Sequence, residues 1–307
     1  MKIVVLMSTY NGERYLNEQI DSILAQDIAR EMELELMVRD DGSSDSTHDI
    51  LDAYQNQGLL KWYTGENLRP AKSFWDLLKK APKADFYAFA DQDDYWFTDK
   101  LSRAVSQLRN HKDNDYPLLY CSAVTTTDAS LNPFETPQEK LNSFCDFSHA
   151  LLYSTAQGCT FVFNNVALRE LVRYDMEKDY VLIHDWLAHK IITMMGKMIY
   201  DEKPSMYYRQ HGGNVIGNQK PGISSFVKRF MRFIKGSQGI RSDVARSLME
   251  VYKKQLDVNS DNYRYLSIVA NYKNNRMARK EFLMEKAFRT GTINDLFLYM
   301  LIILRKI

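Results

Sequence analysis

The 307-residue sequence has few cysteines and no long apolar run. Its three cysteines, Cys121, Cys145 and Cys159, are an odd number without the spacing of a metal site, which agrees with free thiols in a reducing compartment. The apolar run at residues 3–7 is too short for a signal peptide, and the run at residues 296–304 falls well below the roughly 20 residues that span a bilayer. These absences predict a cytoplasmic protein.

Acidic residues are missing from one long stretch, residues 203–242, although the formal net charge of the chain is only +1. Residues 203–307 carry 20 Lys and Arg against 7 Asp and Glu. Such a basic block is typical of a surface that meets phosphate groups or an anionic membrane, or simply of a solvated face. We see no internal repeat and no low-complexity linker. The change near residue 220 predicts one domain at 1–220 and a basic helical region at 221–307.

The first half of the chain alternates short apolar runs with amphipathic helical stretches, which is typical of βαβ units and a mainly parallel sheet. The pattern predicts strands at residues 2–8, 34–38, 60–63, 86–90, 118–124, 158–163 and 198–208. Helix starts are indicated by Asn11, by Asp45 or Ser46, by Pro70 and by Thr98. A further helix is predicted near residues 185–195, and everything beyond residue 221 has a helical pattern. The fold class is therefore α/β with a helical C-terminal region.

Three polar clusters follow predicted strands, at residues 8–12, 40–45 and 91–94. Ligands collect at the carboxyl ends of parallel strands, so the coincidence of three clusters indicates a binding site, although each alone is common turn chemistry. The aspartates at 91, 93 and 94 repel one another and raise each other's pKa unless a cation lies among them. Hard divalent cations such as Mg²⁺ or Mn²⁺ take these oxygen ligands.

The segments VVLMSTYNGERYLNEQIDSILAQ, DDGSSDST and DQDDYW resemble the nucleotide-sugar glycosyltransferases of family 2, which have the GT-A fold. The segments QGCTFVFN, HDW and YRQHGGNVIG resemble the bacterial rhamnosyltransferase-like members of that family. The resemblance covers about residues 3–217. It implies a GT-A-like catalytic domain with a mainly parallel sheet.

The resemblance also implies roles for residues of the first two clusters. Ser8 and Tyr10 would line the nucleotide base pocket, and Asp40 would support its loop. Asp41 would accept a hydrogen bond from a pyrimidine, whose edge offers an N–H. In the third cluster, Asp91 would reach the ribose.

The same resemblance assigns residues to the diphosphate. Asp93 would hold the metal that bridges both phosphates, and His211 would reach the metal or the pyrophosphate from its loop. Asp94 is left between an acceptor contact and a loop bond. Arg209 either pairs with phosphate oxygens, or makes a loop bond, or is a surface charge.

The acceptor side carries the predicted base. Asp185 occupies the position of the catalytic aspartate in inverting members, and His184 is the alternative base. Gly158 would let the backbone approach the donor sugar or the acceptor closely. Trp96 and Trp186 would wall the acceptor site or pack in the core. Cys159 is read as a small core residue.

Residues 223–235 give a clear amphipathic wheel with aromatic and aliphatic side chains on one arc and four cations on the other. The pattern predicts a helix in a membrane interface, and a core-packed helix with a solvated basic face is the alternative.

These observations together predict an inverting glycosyltransferase with Mg²⁺ or Mn²⁺. The preferred reaction moves rhamnose from dTDP-rhamnose, or another sugar from a dTDP- or UDP-linked donor, to a lipid-linked glycan during synthesis of cell-surface polysaccharide. The protein would be peripheral at the inner face of the cell membrane, without a nucleic-acid partner. Three alternatives are another hexosyl or galactosyl transferase, a metal-dependent nucleotidyltransferase, and a non-catalytic nucleotide-sugar binding module.

Overall fold

The computed structural model describes residues 1–111, 115–134, 145–153, 156–176, 183–212, 240–291 and 293–307. The chain divides into two compact units. The first comprises Met1–Cys145, Thr155–Met176 and Val181–Asn214, and the second comprises Asp146–Ser154, Glu177–Tyr180 and Val215–Ile307. The predicted boundary near residue 220 and the amphipathic pattern at 223–235 lie outside the described residues.

The first unit is built on a seven-stranded sheet whose strand order is β3-β2-β1-β4-β8-β6-β9. Strands β3, β2, β1 and β4 are mutually parallel, β6 and β9 pair in parallel, and β8 runs antiparallel to both of its neighbours. The bounds are β1 Lys2–Thr9, β2 Glu33–Asp40, β3 Lys61–Thr64, β4 Phe86–Ala90, β6 Leu118–Ser122, β8 Val162–Asn164 and β9 Lys197–Asp201. The predicted α/β fold with a mainly parallel sheet is confirmed.

A second, three-stranded sheet has the order β5-β10-β7, with β5 at Tyr95–Trp96, β7 at Thr125–Thr127 and β10 at Met206–Arg209. Five helices lie between strands of the first unit or follow them: α1 Leu16–Leu24, α2 Thr47–Asn56, α3 Arg69–Lys80, α4 Lys100–Arg109 and α6 Asn165–Leu171. A sixth, α7 at His184–Met195, precedes β9.

The second unit is helical throughout its described part. Its helices are α5 Phe147–Leu152, α8 Ile240–Val251, α9 Asp261–Asn271, α10 Arg276–Met284 and α11 Ile293–Ile303. The side chains of Ser260 and Asn275 cap the starts of α9 and α10 by accepting from backbone N–H groups. Within the described residues, no helix has the length and apolar character that crossing a membrane requires.

The burial of the central strands explains why they form where the apolar runs predict them. Every residue of β4 is buried, and so are residues 3–7 of β1. A parallel strand covered by helices on both faces needs a continuous apolar run rather than an alternating one. Polar side chains are therefore pushed to the strand ends, where the three clusters lie.

Four local predictions are wrong. The strand predicted at 198–208 is two strands, β9 and β10, which belong to different sheets. Only the end of the run at 158–163 is strand, because Gly158–Thr160 forms a 3₁₀ turn. Asn11 does not cap α1; it has a positive φ of 47° and its Oδ1 accepts from the N–H of Ser44 at 2.9 Å. Thr98 does not cap α4, which begins at Lys100.

Candidate active site

The carboxyl ends of β1 and β4 are joined by the side chain of Gln92. Its Oε1 accepts from Thr9 Oγ1 at 2.6 Å and from the N–H of Tyr10 at 2.7 Å, and its Nε2 donates to Tyr10 O at 3.2 Å. A Cβ on Gly12 would lie 2.7 Å from Gln92 Oε1, so glycine is needed for this close approach. The middle residue of Asp91-Gln92-Asp93 therefore fixes the acidic loop against β1.

Loops that follow β1 and β2 are joined in the same way. The N–H of Asn11 donates to Ser43 Oγ at 2.8 Å, and the N–H of Glu13 donates to Asp45 Oδ2 at 3.1 Å. Asp45 also accepts from the N–H of Thr47 at 3.1 Å, while the N-cap position of α2 is Ser46, the other of the two predicted alternatives. The three polar clusters are thus neighbours at one edge of the sheet.

Asp40 holds the loop after β2 together. Its carboxylate is fully buried and accepts from the N–H groups of Gly42 and Ser43, both at 3.0 Å, and from Thr64 Oγ1 at 3.1 Å. Burial raises the pKa of this carboxyl, but the bonds from Ser43, His48 and Thr64 outweigh burial and leave the pKa below its ordinary value. Asp40 is therefore a structural anion with little capacity left for a ligand.

Asp41 is 2% exposed and lies at the start of α3. It accepts from the N–H of Leu68 at 2.9 Å, from the N–H of Arg69 at 2.9 Å, and from the guanidinium of Arg39. Arg39 is itself buried and also donates to Asp76 Oδ2 at 3.0 Å. Because an ionised carboxylate offers about four lone-pair sites, Asp41 retains one for a base contact. Its nucleotide role stays a prediction.

The two residues predicted beside the base differ in exposure. Tyr10 is 48% exposed, so its ring is free to stack on a planar ligand. The hydroxyl of Ser8 lies 2.6 Å from that of Ser73 on α3, where either oxygen can donate. Ser8 therefore fixes α3 to β1 in addition to any contact with a ligand.

The acidic loop after β4 gathers Asp91 and Asp94 around Cys159. One ligand atom from each of the three residues lies within 4.8 Å of the other two. Burial, followed by the charges of Asp93 and Asp185, raises the pKa of Asp91 to about 7. Burial also raises the pKa of Asp94 well above its ordinary value, followed by the charges of Asp93 and Asp91. The predicted crowding of carboxylates is present, but burial contributes more to both pKa shifts than the neighbouring charges do.

Asp93 and His211 form the pair that the metal prediction requires. His211 Nε2 lies 2.8 Å from Asp93 Oδ2, and the His211 ring packs 4.9 Å from the ring of Tyr15. The histidine after β10 is therefore brought to the acidic loop, 118 residues away in sequence.

Arg209 frames this loop from inside. It is 2% exposed, and its guanidinium donates to Asp93 O at 2.8 Å, to Ala129 O at 2.7 Å and to Glu18 Oε2 at 2.5 Å. Its backbone N–H donates to Asp94 Oδ1 at 3.1 Å. These contacts make Arg209 a buried brace of the loop, which is the loop-bond alternative, and a contact of Arg209 with phosphate stays a prediction.

The predicted base lies in the first turn of α7. Asp185 Oδ2 accepts from the N–H of Gly158 at 3.0 Å, and Oδ1 accepts from the N–H of Trp186 at 2.6 Å. Burial raises the pKa of Asp185 to about 6, although these bonds and the charge of Lys190 oppose the shift. Gly158 thus packs against Asp185, and its contact with the donor sugar or the acceptor stays a prediction.

His184 is packed as an aromatic residue. Its ring stacks on Phe74 at 3.8 Å between centroids and meets Phe89 edge-on at 5.1 Å. Neither ring nitrogen has a hydrogen-bond partner in the described part of the chain, and burial lowers its pKa to about 3. The imidazole is therefore neutral and weakly basic at neutral pH.

Both tryptophans that were predicted at the acceptor site are buried. Trp96 is 1% exposed and belongs to the hydrophobic core, so it is not an acceptor wall. Trp186 is 8% exposed, and the ammonium of Lys190 lies 3.6 Å from the centre of one of its rings. Trp186 lies beside Asp185 and keeps its place at the edge of the site.

Sequence reasoning missed one charged residue beneath the acidic loop, Lys100. Its side chain is fully buried, and Nζ donates to Cys159 O at 2.7 Å. One signal was available: Lys100 occupies the same helical face as Ala104 and Leu108, which are both buried. A lysine on an apolar helix face indicates a buried charge.

The donor set at the acidic loop fits a hard divalent cation. Asp94 Oδ2 is buried without a hydrogen-bond partner among the described residues, and carboxylate oxygens are the ligands that Mg²⁺ and Mn²⁺ prefer. Asp91 and Asp93 add further carboxylates beside it. The thiol of Cys159 is protonated, because burial raises its pKa well above the ordinary value.

Comparison with known proteins agrees with this fold and site. Residues 4–172 match the model of glycosyl transferase family 2. The chain is 27% identical over 226 residues to the dTDP-rhamnosyl transferase RfbG of Shigella flexneri, a match that covers 69% of this chain and 73% of the relative.

Two solved structures share the architecture. The S. aureus TarS 1–349 complex with UDP-GlcNAc superposes with a TM-score of 0.59 at 17% identity, covering 98% of this chain and 79% of that one. The mannosyltransferase PcManGT from Pyrobaculum calidifontis, in complex with GDP-Man and Mn²⁺, gives 0.54 at 17% identity, covering 99% and 86%.

The fold and the site define a nucleotide-sugar glycosyltransferase with the GT-A fold. The chain belongs to glycosyl transferase family 2. The predicted family, fold class and enzymatic activity are confirmed.

Proposed function

We propose that the chain transfers a sugar with inversion from a nucleoside diphosphate donor to a hydroxyl acceptor, with Asp185 as the base. The dipeptide Gly158-Cys159 carries this proposal. Gly158 binds Asp185 through its N–H, and the Cys159 thiol lies within 4.8 Å of carboxylate oxygens of Asp91 and Asp94. The base therefore lies beside Gly158 and the acidic loop beside Cys159, so the two are close in space. In-line attack on a donor bound at the acidic loop needs this proximity.

The protonation states favour Asp185 over His184 as the base. A general base works best when its pKa is near the operating pH, and the pKa of Asp185 is raised to about 6 while that of His184 is lowered to about 3. The stacking of His184 on Phe74 also occupies the ring that would have to approach the acceptor. His184 instead packs behind the site and holds the start of α7.

The carboxylates of Asp91, Asp93 and Asp94, with His211, would hold Mg²⁺ or Mn²⁺. When bound, such a cation neutralises the charge that develops on the leaving diphosphate. The chain prepares this site in advance, because Arg209 fixes both the carbonyl of Asp93 and, through its N–H, the carboxylate of Asp94. The Mn²⁺ in the PcManGT complex supports a divalent metal.

The nucleotide would lie over the loops after β1 and β2. Tyr10 presents an exposed ring for stacking, and Asp41 retains one acceptor site for a pyrimidine N–H. Ser8 and Asp40 support the nucleotide site indirectly, because Ser8 fixes α3 to β1 and Asp40 fixes the loop that carries Asp41. Asp91, which follows β4, would bind the ribose.

Rhamnose from dTDP-rhamnose is the proposed donor, supported by the similarity to RfbG. The test is a panel of dTDP-, UDP- and GDP-sugars in which the release of nucleoside diphosphate is measured with and without chelator. The fastest metal-dependent release is expected with dTDP-rhamnose. Release from UDP-hexoses alone would assign another hexosyl specificity and leave the site roles standing.

The proposed acceptor is a glycan carried on a lipid, which brings the second unit to an anionic membrane surface. On α11, Leu296, Met300 and Ile303 recur at spacings of four and three, and they are 57%, 38% and 64% exposed. This spacing makes one apolar stripe on the helix. The excess of Lys and Arg in residues 203–307 supplies the charge that anionic headgroups attract.

A further inference from the structure

A lysine is buried beneath the acidic loop without a carboxylate partner in contact. Lys100 Nζ lies 2.7 Å from Cys159 O, 3.5 Å from Met206 Sδ and 4.3 Å from the centre of the Trp96 ring. No ion pair to Lys100 forms within the described residues. The residue is 0% exposed, so neither water nor a substrate touches it.

A buried ammonium is costly unless opposite charge lies near it. Burial lowers the pKa of Lys100 to about 8, and the charges of Asp94 and Asp91 are among those that oppose the shift. The carbonyl that holds Lys100 Nζ belongs to Cys159, whose thiol lies within 4.8 Å of carboxylate oxygens of Asp91 and Asp94. The ammonium and the two carboxylates are therefore neighbours of the same residue.

We propose that Lys100 is a positioning residue that serves as the resident counter-ion of Asp91 and Asp94 and that, through its charge, weakens the binding of a divalent cation at these carboxylates. The inference rests on the proposed function, in which the acidic loop holds the cation. Without the cation, the ammonium limits the mutual repulsion of the two aspartates. With the cation present, two positive charges share one buried site.

This arrangement makes the site suited to exchange rather than to permanent retention of the cation. Like charges in one poorly polarisable, buried site repel strongly, which corresponds to a loss of affinity on the order of tenfold or more. The Cys159 carbonyl and Met206 hold Lys100 in place, so it cannot swing away as the cation binds. Release of nucleoside diphosphate together with its cation is thereby favoured.

The test uses the full chain with Mn²⁺ and UDP as probes. Lys100→Gln removes the charge but keeps a donor for Cys159 O, and Lys100→Met removes both. Free Mn²⁺ is measured by electron paramagnetic resonance during titration in the presence of UDP, and Tm is measured in chelator and in Mn²⁺. We expect both variants to bind Mn²⁺ about tenfold more tightly, to have a lower Tm in chelator, and to gain more in Tm from Mn²⁺ than the wild type gains.

Two controls separate charge from packing. Lys100→Arg keeps the charge and should bind Mn²⁺ with an affinity close to that of the wild type. Leu108→Ala opens a cavity on the same helix, so it should lower Tm and leave the Mn²⁺ affinity unchanged. If the Gln and Met variants bind Mn²⁺ no more tightly than the wild type does, Lys100 is only a packing residue and the proposal is overturned. If the wild type takes up no Mn²⁺ with UDP, the metal site itself is overturned, and this inference with it.

Discussion

The backbone N–H of Gly158 binds Asp185 at 3.0 Å, and the two residues are so close that a Cβ on Gly158 would lie 2.6 Å from the Cβ of Asp185. Real Cβ atoms do not approach other atoms so closely. The position of the proposed base is therefore set by the absence of a side chain on Gly158.

Gly158→Ala should displace Asp185 and lower kcat by on the order of 100-fold, because a shift of about 1 Å in a reacting group is enough for such a loss. The KM for the donor should change little, since the nucleotide loops are untouched. Steady-state kinetics of nucleoside diphosphate release give both constants. Gly212→Ala is the matched control, because its added methyl meets nothing within 4 Å. Unchanged kcat in Gly158→Ala would remove Asp185 from the role of base.

The pKa of Asp185, raised to about 6, predicts a pH profile. The base must be ionised, so kcat should fall tenfold per pH unit below about 6. Asp185→Asn should lower kcat by on the order of 100-fold or more and leave nucleotide binding nearly intact. If His184→Phe is inactive and Asp185→Asn is active, His184 is the base and the assignment of Asp185 is wrong.

The same shift predicts an effect of Asp185→Asn on stability. The folded-state pKa of about 6 lies above the unfolded value of about 3.9, so the folded protein binds this proton more tightly. The stability that the proton contributes is lost as the pH rises through about 6. Asp185→Asn stays neutral, so its Tm should lack this loss, although the variant gives up one of the two N–H bonds that the carboxylate accepts from Gly158 and Trp186. The Tm difference between variant and wild type should therefore shift in favour of the variant from pH 5 to pH 8, and a difference that does not change with pH would contradict burial as the cause of the shift.

Metal dependence is tested by chelation and by Asp93→Ala. Activity should vanish in chelator and return with Mn²⁺ or Mg²⁺, and Asp93→Ala should not recover with either ion. The variant should keep its Tm in chelator, because the charge of Asp93 raises the pKa of both neighbouring carboxyls and its removal relieves that repulsion. Full activity of the wild type in chelator would remove the metal from the mechanism.

Asp41→Asn should weaken the binding of UDP and dTDP to the same extent with or without an attached sugar, because the predicted contact is to the base. It should also lower Tm, since the buried Arg39 loses a charged partner. Asp76→Asn removes another carboxylate partner of Arg39 and is the control: Tm should fall and nucleotide affinity should not. Calorimetric titration that finds equal affinities in wild type and Asp41→Asn would move the base pocket elsewhere.

The apolar stripe of α11 predicts binding to anionic vesicles. Replacing Leu296 and Ile303 by Gln should reduce sedimentation with vesicles that contain phosphatidylglycerol, while donor hydrolysis in solution persists. Val258→Gln is the control, because Val258 is 63% exposed and Ile303 is 64% exposed. Binding should also weaken with salt. If the wild type does not sediment with such vesicles at low salt, the acceptor need not be carried on a lipid.

Local pattern was sufficient for the central strands and for the polar clusters at their ends. The apolar runs that became β1 and β4 are buried on both faces, and the polar residues that follow them have no room inside, so the strand ends and their clusters follow from composition alone. Ser46 as the N-cap of α2 is equally local, because cap chemistry spans only two or three residues.

Tertiary structure decided what each polar side chain does. Arg209 reaches Glu18 across 191 positions, and Lys100 reaches Cys159 across 59, so no local pattern identifies their partners, although the helical face of Lys100 indicates its burial. The strand predicted at 198–208 was divided between two sheets for the same reason, since strand pairing depends on distant partners. Periodicity in the sequence indicates which residues are buried. Which residue a buried polar side chain contacts depends on the strand order and on the need of each buried charge for an opposite charge or a hydrogen bond.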